Sequence, residues 1–206
     1  MNFEKGYFVN SKISNYKNYS KRKFVQQTRD LIQLLDIKQS DYILDFGCAT
    51  GGLLYEFKKM GYVNICGTDI SYWSIQYGKE VLGLEKELRY YSLDVLSHHK
   101  DHLIMLDVLE HIPTVEELEH ILKLASTNLL KSCAVRIPVC NGLGDDFVLD
   151  VSRRDKTHTL CYPKDWWKQK FLEAGFKDIK PVFSESIYDS DGVYSFVASI
   201  QLNKDM

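Results

Sequence analysis

Two of the six histidines occupy positions where they could do acid–base chemistry. His111 follows Glu110 directly, in the run at 107–112, and His158 lies in a polar segment. A histidine ordinarily titrates near pH 6.5, so it can take up a proton at neutral pH. We therefore predict His111, His158 and Glu110 as catalytic candidates, with either histidine as the general base. Structural interpretations stay open for both: His158 could tie its loop to Asp155, and His111 could cap a turn.

A glycine-rich bend is the next feature that suggests ligand binding. Residues 42–46 form a short apolar run that contains Asp45, and Gly47 and Gly51 follow before a helical pattern begins. A glycine lets the backbone approach a ligand closely, because no Cβ intervenes. The N-terminus of the following helix offers free N–H groups to an anionic ligand.

An acidic residue, Asp69, ends the second apolar run. In a βαβ unit, an acid in this position can accept hydrogen bonds from a ribose diol. The alternative is that Asp69 only caps a helix that begins near Ser71. Ile70, the next residue, is suited to cover one face of an adenine ring.

Strands and helices alternate along the chain, which predicts a single α/β domain. The run at 102–106 is continuously apolar, as expected of a buried parallel strand. Further strands are predicted near 42–46, 63–69, 88–93, 133–139, 179–183 and 193–202. Helices are predicted near 24–35, 53–60, 71–82 and 116–124, and from Pro163 to Ala174.

The pattern around the bend, D-x-G-x-x-x-G from Asp45 to Gly51, resembles the first motif of class I S-adenosylmethionine-dependent methyltransferases. The run D-V-L-E-H-I at 107–112 is similar to a branch that methylates small metabolites such as quinone precursors and sugars. This resemblance implies a Rossmann-like, doubly wound sheet of seven strands in the order 3-2-1-4-5-7-6, with strand 7 antiparallel. It also implies S-adenosyl-L-methionine as the cofactor.

The resemblance assigns roles to particular positions. Asp94 and the backbone N–H of Val95 would contact the adenine, and Asp107 would contact the methionine end of the cofactor. The predicted cofactor-binding residues are Asp45, Gly47, Cys48, Gly51, Asp69, Ile70, Asp94, Val95 and Asp107. For Asp94, an ordinary loop aspartate is the alternative.

A polar insertion at about 140–162 lies where relatives of this class build the substrate pocket. Its Asp155 to His158 segment resembles their Asp-x-x-His pattern, although Cys161-Tyr162-Pro163 departs slightly from the usual Phe-Thr-Pro. The predicted substrate-binding residues are Arg153, His158, Tyr162 and Trp166. Arg153 could pair with a carboxylate or phosphate, so we expect a small-molecule acceptor that can be anionic.

The N-terminal arm, residues 1–23, is rich in aromatic and basic residues and precedes the domain at 24–206. The arm could be a lid that excludes water from a bound ligand, or a solvated segment that packs a few rings on the domain. Its basic residues are Lys12, Lys17, Lys21, Arg22 and Lys23.

Composition and charge limit the possible partners, metal sites and location of the protein. The 206 residues carry a formal charge of −2, so no global field recruits nucleic acid, and no apolar run is long enough for a membrane span. The five cysteines include no C-x-x-C pair, so we expect neither a zinc framework nor disulfides, and no metal site. Without a signal-peptide core at the N-terminus, the expected location is cytoplasmic.

Two rival functions remain open at this stage. One is methylation of RNA or protein, with the basic arm as the docking surface. The other is a non-catalytic subunit that keeps the cofactor but serves a partner enzyme. A nicotinamide oxidoreductase fits less well, because Ala49 breaks the G-x-G-x-x-G fingerprint. The sequence leaves the oligomeric state open.

Overall fold

The structure, a computed structural model, describes residues 3–9, 14, 19 and 23–200. Most of the arm therefore lies outside the described residues, including Lys12, Lys17, Lys21 and Arg22. Within the described part of the chain, no helix is both long and apolar enough to cross a lipid bilayer.

One seven-stranded sheet forms the centre of the molecule, in the order β3-β2-β1-β4-β5-β7-β6. The strands are β1 Ile43–Phe46, β2 Ile65–Asp69, β3 Leu88–Tyr90, β4 Lys100–Leu106, β5 Leu129–Pro138, β6 Lys177–Pro181 and β7 Val193–Ser199. Strands β1 to β5 are parallel, and β7 pairs antiparallel with both β5 and β6. The predicted fold class and strand order are confirmed.

Helices cover both faces of the sheet. They are α1 Lys5–Val9, α2 Val25–Leu35, α3 Gly52–Lys59, α4 Tyr72–Leu82, α5 Val115–Thr127, α6 Asp150–Arg154 and α7 Lys164–Ala174. One core layer includes Trp167, Phe171 and Phe196, and the opposite layer includes Leu54 and Phe57. A parallel sheet requires both faces to be covered, which explains the continuous apolar runs of β1 and β4.

Local capping signals set several helix boundaries. Thr114 accepts a hydrogen bond from the Glu117 N–H at the start of α5, and Ser71 accepts one from the Ser74 N–H at the start of α4. At the end of α3, Gly61 takes the left-handed conformation expected of a glycine that follows a helix.

The third strand is shorter than the sequence predicts. It ends at Tyr90, and a 3-10 helix at Leu93–Ser97 follows. Ser92 accepts a hydrogen bond from the Asp94 N–H and so caps this helix, which ends the extended backbone. Asp94 consequently lies on a helical turn beyond the strand.

Candidate functional site

The glycine-rich bend lies at the carboxyl end of β1 and is tied to β2. The N–H groups of Gly47 and Cys48 both donate to the Thr68 carbonyl, at 2.8 and 3.0 Å. Gly47, with φ of +83°, lies where a Cβ would come within 2.5 Å of the Val108 Cγ2 atom. Any side chain at Gly47 is therefore excluded by packing as well as by backbone conformation.

Gly51 serves packing more than ligand contact. With φ of +76°, it immediately precedes α3, and a Cβ there would lie 2.7 Å from the Leu84 Cδ1 atom. Gly51 is not one of the described residues that line the neighbouring cavity, whereas Gly47 and Cys48 are. The close approach of a ligand predicted for both glycines is thus supported by geometry only at Gly47.

Asp69 ends β2 with its carboxylate held by backbone donors. The Ala49 N–H donates to Oδ2 and the Ser71 N–H donates to Oδ1, each at 2.8 Å. Each carboxylate oxygen can accept a further hydrogen bond, and Asp69 lines the cavity. The cap of α4 is thus Ser71 and not Asp69, as the alternative interpretation had it; Asp69 holds the Ser71 N–H and can also receive hydroxyl donors of a ligand.

The same edge contains buried polar groups that a ligand could satisfy. Burial, and after it the negative charge of Asp69, raises the pKa of Asp45 to about 7. The Thr68 hydroxyl oxygen is fully buried and makes no hydrogen bond within the described part of the chain. Both Asp45 and Thr68 line the cavity, so a polar ligand could complete their hydrogen bonding.

A first cavity of about 300 Å³ opens along the carboxyl ends of β1 and β2. Ile70 lies in its wall, and the rings of Phe3, Tyr7, Phe8 and Tyr19 contribute from the arm. Tyr7 and Phe8 are buried, and Phe8 stacks on Trp73 at 5.5 Å between ring centroids. The described part of the arm thus covers this cavity, as a lid would.

Asp107 lies at the end of β4 in the left-handed backbone region, with φ of +56°. Arg136 on β5 holds its carboxylate with two hydrogen bonds, one of them from Nε to Oδ1 at 2.8 Å. Backbone strain of this kind persists only where surrounding contacts enforce it, and it is frequent at ligand sites. Asp107 and Arg136 line both the first cavity and a second one.

The second cavity has a volume of about 390 Å³ and adjoins the first at Tyr7, Asp107, His111 and Arg136. Its remaining wall comes from the 3-10 helix Leu109–His111, from β5, from residues 149–158 of the insertion and from the segment that leads into β7. These lining residues include Glu110, Ser152, Asp155, His158, Ser186 and Tyr188. Its lining is therefore rich in polar and ionisable side chains.

Glu110, His111 and His158 meet between the two cavities. The two imidazole rings lie 4.7 Å apart, and each Nε2 lies 3.9 Å from the Glu110 Oε1 atom. Burial, then the charge of Asp107, raises the pKa of Glu110 well above its ordinary value. Burial, then His158, lowers the pKa of His111 to about 4, and burial also lowers the pKa of His158. Both rings are therefore neutral at pH 7, and the ordinary value of 6.5 does not apply to either.

Besides Gly51, five predicted site residues line neither of the two cavities. Asp94 is highly exposed and approaches His98, and Val95 follows it on the 3-10 helix. Arg153 is exposed on α6 and pairs with Asp150. Tyr162 stacks on Trp166 at 3.8 Å, and both pack against the core. Ligand contact by Asp94, Val95, Arg153, Tyr162 and Trp166 stays a prediction that this geometry does not favour.

Two lining residues, Thr68 and Arg136, and the contact that a third, Tyr7, makes in the site were not predicted from the sequence. Arg136 lies within an apolar strand, where a lone basic residue is a signal of internal pairing. Thr68 precedes Asp69 directly. The Tyr7 hydroxyl donates to Asp155 Oδ2 at 3.1 Å, across 148 positions of sequence, and no local pattern indicates that contact.

The first cavity fits a nucleoside-type cofactor on three observations. Gly47 leaves its backbone uncovered by a side chain, and the Asp69 carboxylate can accept further hydrogen bonds. The buried Thr68 hydroxyl makes no hydrogen bond within the described residues. The cavity lies in the crevice at the carboxyl ends of parallel strands, where open α/β sheets bind ligands. Its volume is within the usual range for small-molecule sites, roughly 300–1,000 Å³.

A family model described as a methyltransferase domain matches residues 19–181, which is most of the chain. This protein belongs to that methyltransferase family. The predicted class, S-adenosylmethionine-dependent methyltransferases, is thereby confirmed, and with it the predicted cofactor.

Solved structures of methyltransferases share the fold. A SAM-dependent methyltransferase from Archaeoglobus fulgidus is 17% identical, with a TM-score of 0.63, and the match covers 84% of this chain and 92% of that one. Magnesium protoporphyrin IX methyltransferase from Synechocystis PCC 6803, solved with bound SAH, is 18% identical with a TM-score of 0.61, covering 85% and 83%.

A third solved structure is the N-terminal domain of EvdMO1 in the presence of SAH and D-fucose. It is 14% identical with a TM-score of 0.65, and the match covers 89% of this chain and 84% of that one. None of the curated proteins matches the sequence significantly. At these identities the solved structures show a shared fold, and the acceptor has to be argued from the site itself.

Proposed function

We propose that this methyltransferase transfers the methyl group to a hydroxyl oxygen of a small polar metabolite, such as a sugar. The observation that carries this proposal is the second cavity, which adjoins the first at Asp107 and His111. An acceptor in the second cavity would lie directly beside the cofactor in the first. Methyl transfer requires this adjacency, because the reacting atoms must approach to about 3–3.5 Å.

The polar lining of the second cavity favours an acceptor with several hydroxyl groups. Asp155 and Ser186 contribute oxygen atoms that can accept hydrogen bonds, and the Arg136 guanidinium already pairs with Asp107. A volume of about 390 Å³ suits a metabolite and leaves no room for a folded RNA or protein segment.

The chain's own residues would chiefly position the acceptor and exclude water. The cofactor supplies a methyl group already activated by a sulfonium, so the protein need not create a strong electrophile. Phe3 and Tyr7 close the site from the arm, and Phe3 packs edge-on to His111 at 5.3 Å. His111 and His158 direct Nε2 into the region between the cavities, where either could receive the hydroxyl proton.

Two solved relatives agree with a small acceptor. One was crystallised in the presence of D-fucose, and the other is a magnesium protoporphyrin IX methyltransferase. The first suggests a sugar as the acceptor, and the second suggests a protoporphyrin. The polar lining described above favours the sugar.

The test is a screen with methyl-labelled S-adenosylmethionine against sugar nucleotides, sugar phosphates, free deoxysugars and phenolic metabolites. We expect one labelled methyl to appear on a sugar oxygen, identified by mass spectrometry. The His120→Ala variant is the control for a histidine substitution outside the site, because His120 is exposed and lies on α5 away from both cavities. Labelling of RNA or of a protein, with every small molecule unlabelled, would contradict the proposal.

A further inference from the structure

The cluster of Glu110, His111 and His158 brings three potential ligand atoms to one point. One ring nitrogen of each histidine and one carboxylate oxygen of Glu110 all lie within 4.8 Å of one another. Each Nε2 lies 3.9 Å from Glu110 Oε1, which is too long for a hydrogen bond. The three atoms surround a gap that direct hydrogen bonds do not close.

Backbone contacts determine which nitrogen of each ring faces this gap. His158 Nδ1 lies 2.9 Å from the Ser152 carbonyl oxygen, and His111 Nδ1 lies 3.2 Å from the Thr157 carbonyl oxygen. The Thr157 hydroxyl, 2.9 Å from His111 Nδ1, donates its own proton to Asp155 Oδ1, and a carbonyl oxygen can only accept, so Nδ1 carries the proton in both neutral rings. Both Nε2 atoms therefore present lone pairs to the Glu110 carboxylate.

This arrangement places two ring nitrogens beside one carboxyl group, each at a distance too long for a hydrogen bond to it. The Glu110 side chain is 1% exposed, and its second oxygen, Oε2, makes no hydrogen bond within the described part of the chain. A single proton could bridge only one pair of these atoms, and their separation is too large for that. One cation between them would satisfy all three, because it can accept several lone pairs at once.

We propose that Glu110, His111 and His158 form a binding site for a divalent transition-metal ion at the junction of the two cavities. Two imidazoles and one carboxylate are a ligand set that zinc, iron, cobalt and related ions accept. Metal–ligand bonds of about 2.0–2.2 Å place tetrahedral ligand atoms roughly 3.3–3.6 Å apart, so ligand atoms that now lie within 4.8 Å of one another need to close by at most about 1.5 Å.

The surroundings suit such a site. Carbonyl oxygens that hold the far nitrogen of a ligating histidine are the usual outer contacts of metal centres. Phe147 packs edge-on to His158 at 5.1 Å and restrains its ring. Three protein ligands leave at least one coordination position open, and the second cavity lies beside the cluster.

The role of the ion rests on the proposed function. Bound at the open position, a hydroxyl oxygen of the acceptor would have its pKa lowered by the metal. With both Nε2 atoms on the ion, neither histidine would act as the base, so the O–H bond would break and its proton would leave to solvent. The oxygen then forms the new O–CH₃ bond as the S–CH₃ bond breaks. Without an acceptor, water would occupy the open position.

The test uses Co²⁺ as the probe, in equilibrium dialysis and in anomalous diffraction from soaked crystals. We expect one Co²⁺ per chain, with its anomalous peak between the three side chains. His158→Asn keeps an amide donor for the Ser152 carbonyl but lacks Nε2, so it should weaken binding more than the roughly 10–100-fold typical of outer contacts. Glu110→Gln keeps the shape of the side chain and should weaken binding by a similar factor.

Two controls separate this result from loss of the fold or of the function. His120→Ala should bind Co²⁺ as the wild type does, and every variant should keep its affinity for S-adenosylhomocysteine. A wild-type protein without stoichiometric Co²⁺, or a His158→Asn variant that binds equally well, would overturn the site. Methyl transfer by a metal-free protein that binds no Co²⁺ would overturn the site and leave the proposed function intact. Binding of Co²⁺ without any methyl transfer would support the site and contradict the function.

Discussion

Replacement of Asp69 by alanine tests the cofactor-binding edge at its most connected residue. The carboxylate accepts hydrogen bonds from the Ala49 and Ser71 N–H groups, and it lines the first cavity with acceptor capacity to spare. If a ribose hydroxyl donates to it, alanine leaves that hydroxyl unpaired in the complex. Such a loss costs about 1–3 kcal/mol, which corresponds to roughly 5–150-fold in affinity.

The same substitution should also weaken the fold, because two backbone donors lose a charged acceptor. We expect the free energy of unfolding to fall by roughly 1–3 kcal/mol, since hydrogen bonds to charged groups contribute about that much. Calorimetric titration with S-adenosylhomocysteine measures the first effect, and denaturant unfolding without ligand measures the second. The two measurements together separate a binding role from a structural role.

A matched variant, Asp165→Ala, removes the same charge from an exposed position at the start of α7. It should bind S-adenosylhomocysteine as the wild type does. A folded Asp69→Ala protein with wild-type affinity would refute the assignment of Asp69 to the ribose. The carboxylate would then serve only to hold Ser71 at the start of α4.

Three further expectations follow from particular contacts. Gly47→Val should abolish titration with S-adenosylhomocysteine and lower the melting temperature, because its Cβ would lie 2.5 Å from the Val108 side chain; normal binding would contradict this placement of the bend. Burial alone would raise the pKa of Asp41, but Lys131 and other donors outweigh it and lower that pKa to about 2. Ionised Asp41 therefore contributes roughly 2 kcal/mol at pH 7. This contribution to the free energy of unfolding is full above pH 3.8 and is lost as pH falls toward 2. In denaturant unfolding, Asp41→Asn should therefore be less stable than the wild type at pH 7 and approach it near pH 2. A difference in stability that does not change with pH would contradict this expectation. Tyr7→Phe removes the hydroxyl that donates to Asp155. It should lower turnover while leaving cofactor affinity within about twofold of the wild type. Unchanged turnover would show that this contact does not order the site.

Features with local causes could be predicted from the sequence. The strand order follows from the resemblance carried by Asp45, Gly47 and Gly51, and it is confirmed. The caps at Thr114 and Ser71 depend on residues only a few positions apart, so the sequence shows them directly. Here the local preference and the final fold agree.

Features that depend on distant contacts could not be predicted in this way. The Ser92 cap turns the chain into a 3-10 helix, so counting strands alone does not predict the exposure of Asp94. The pairing of Arg136 with Asp107 spans two strands that are adjacent only in the folded sheet. The meeting of Glu110 with His158 requires the insertion to fold back over β4, and residue spacing does not encode that path.

A crystal structure with S-adenosylhomocysteine bound is the most direct test of a methyl donor at the carboxyl edge of β1 and β2. We predict the ribose hydroxyls on Asp69, the adenine beside Ile70, and the sulfur directed toward Glu110, His111 and His158. A ligand elsewhere, or a protein that binds none at saturating concentration, would contradict the account.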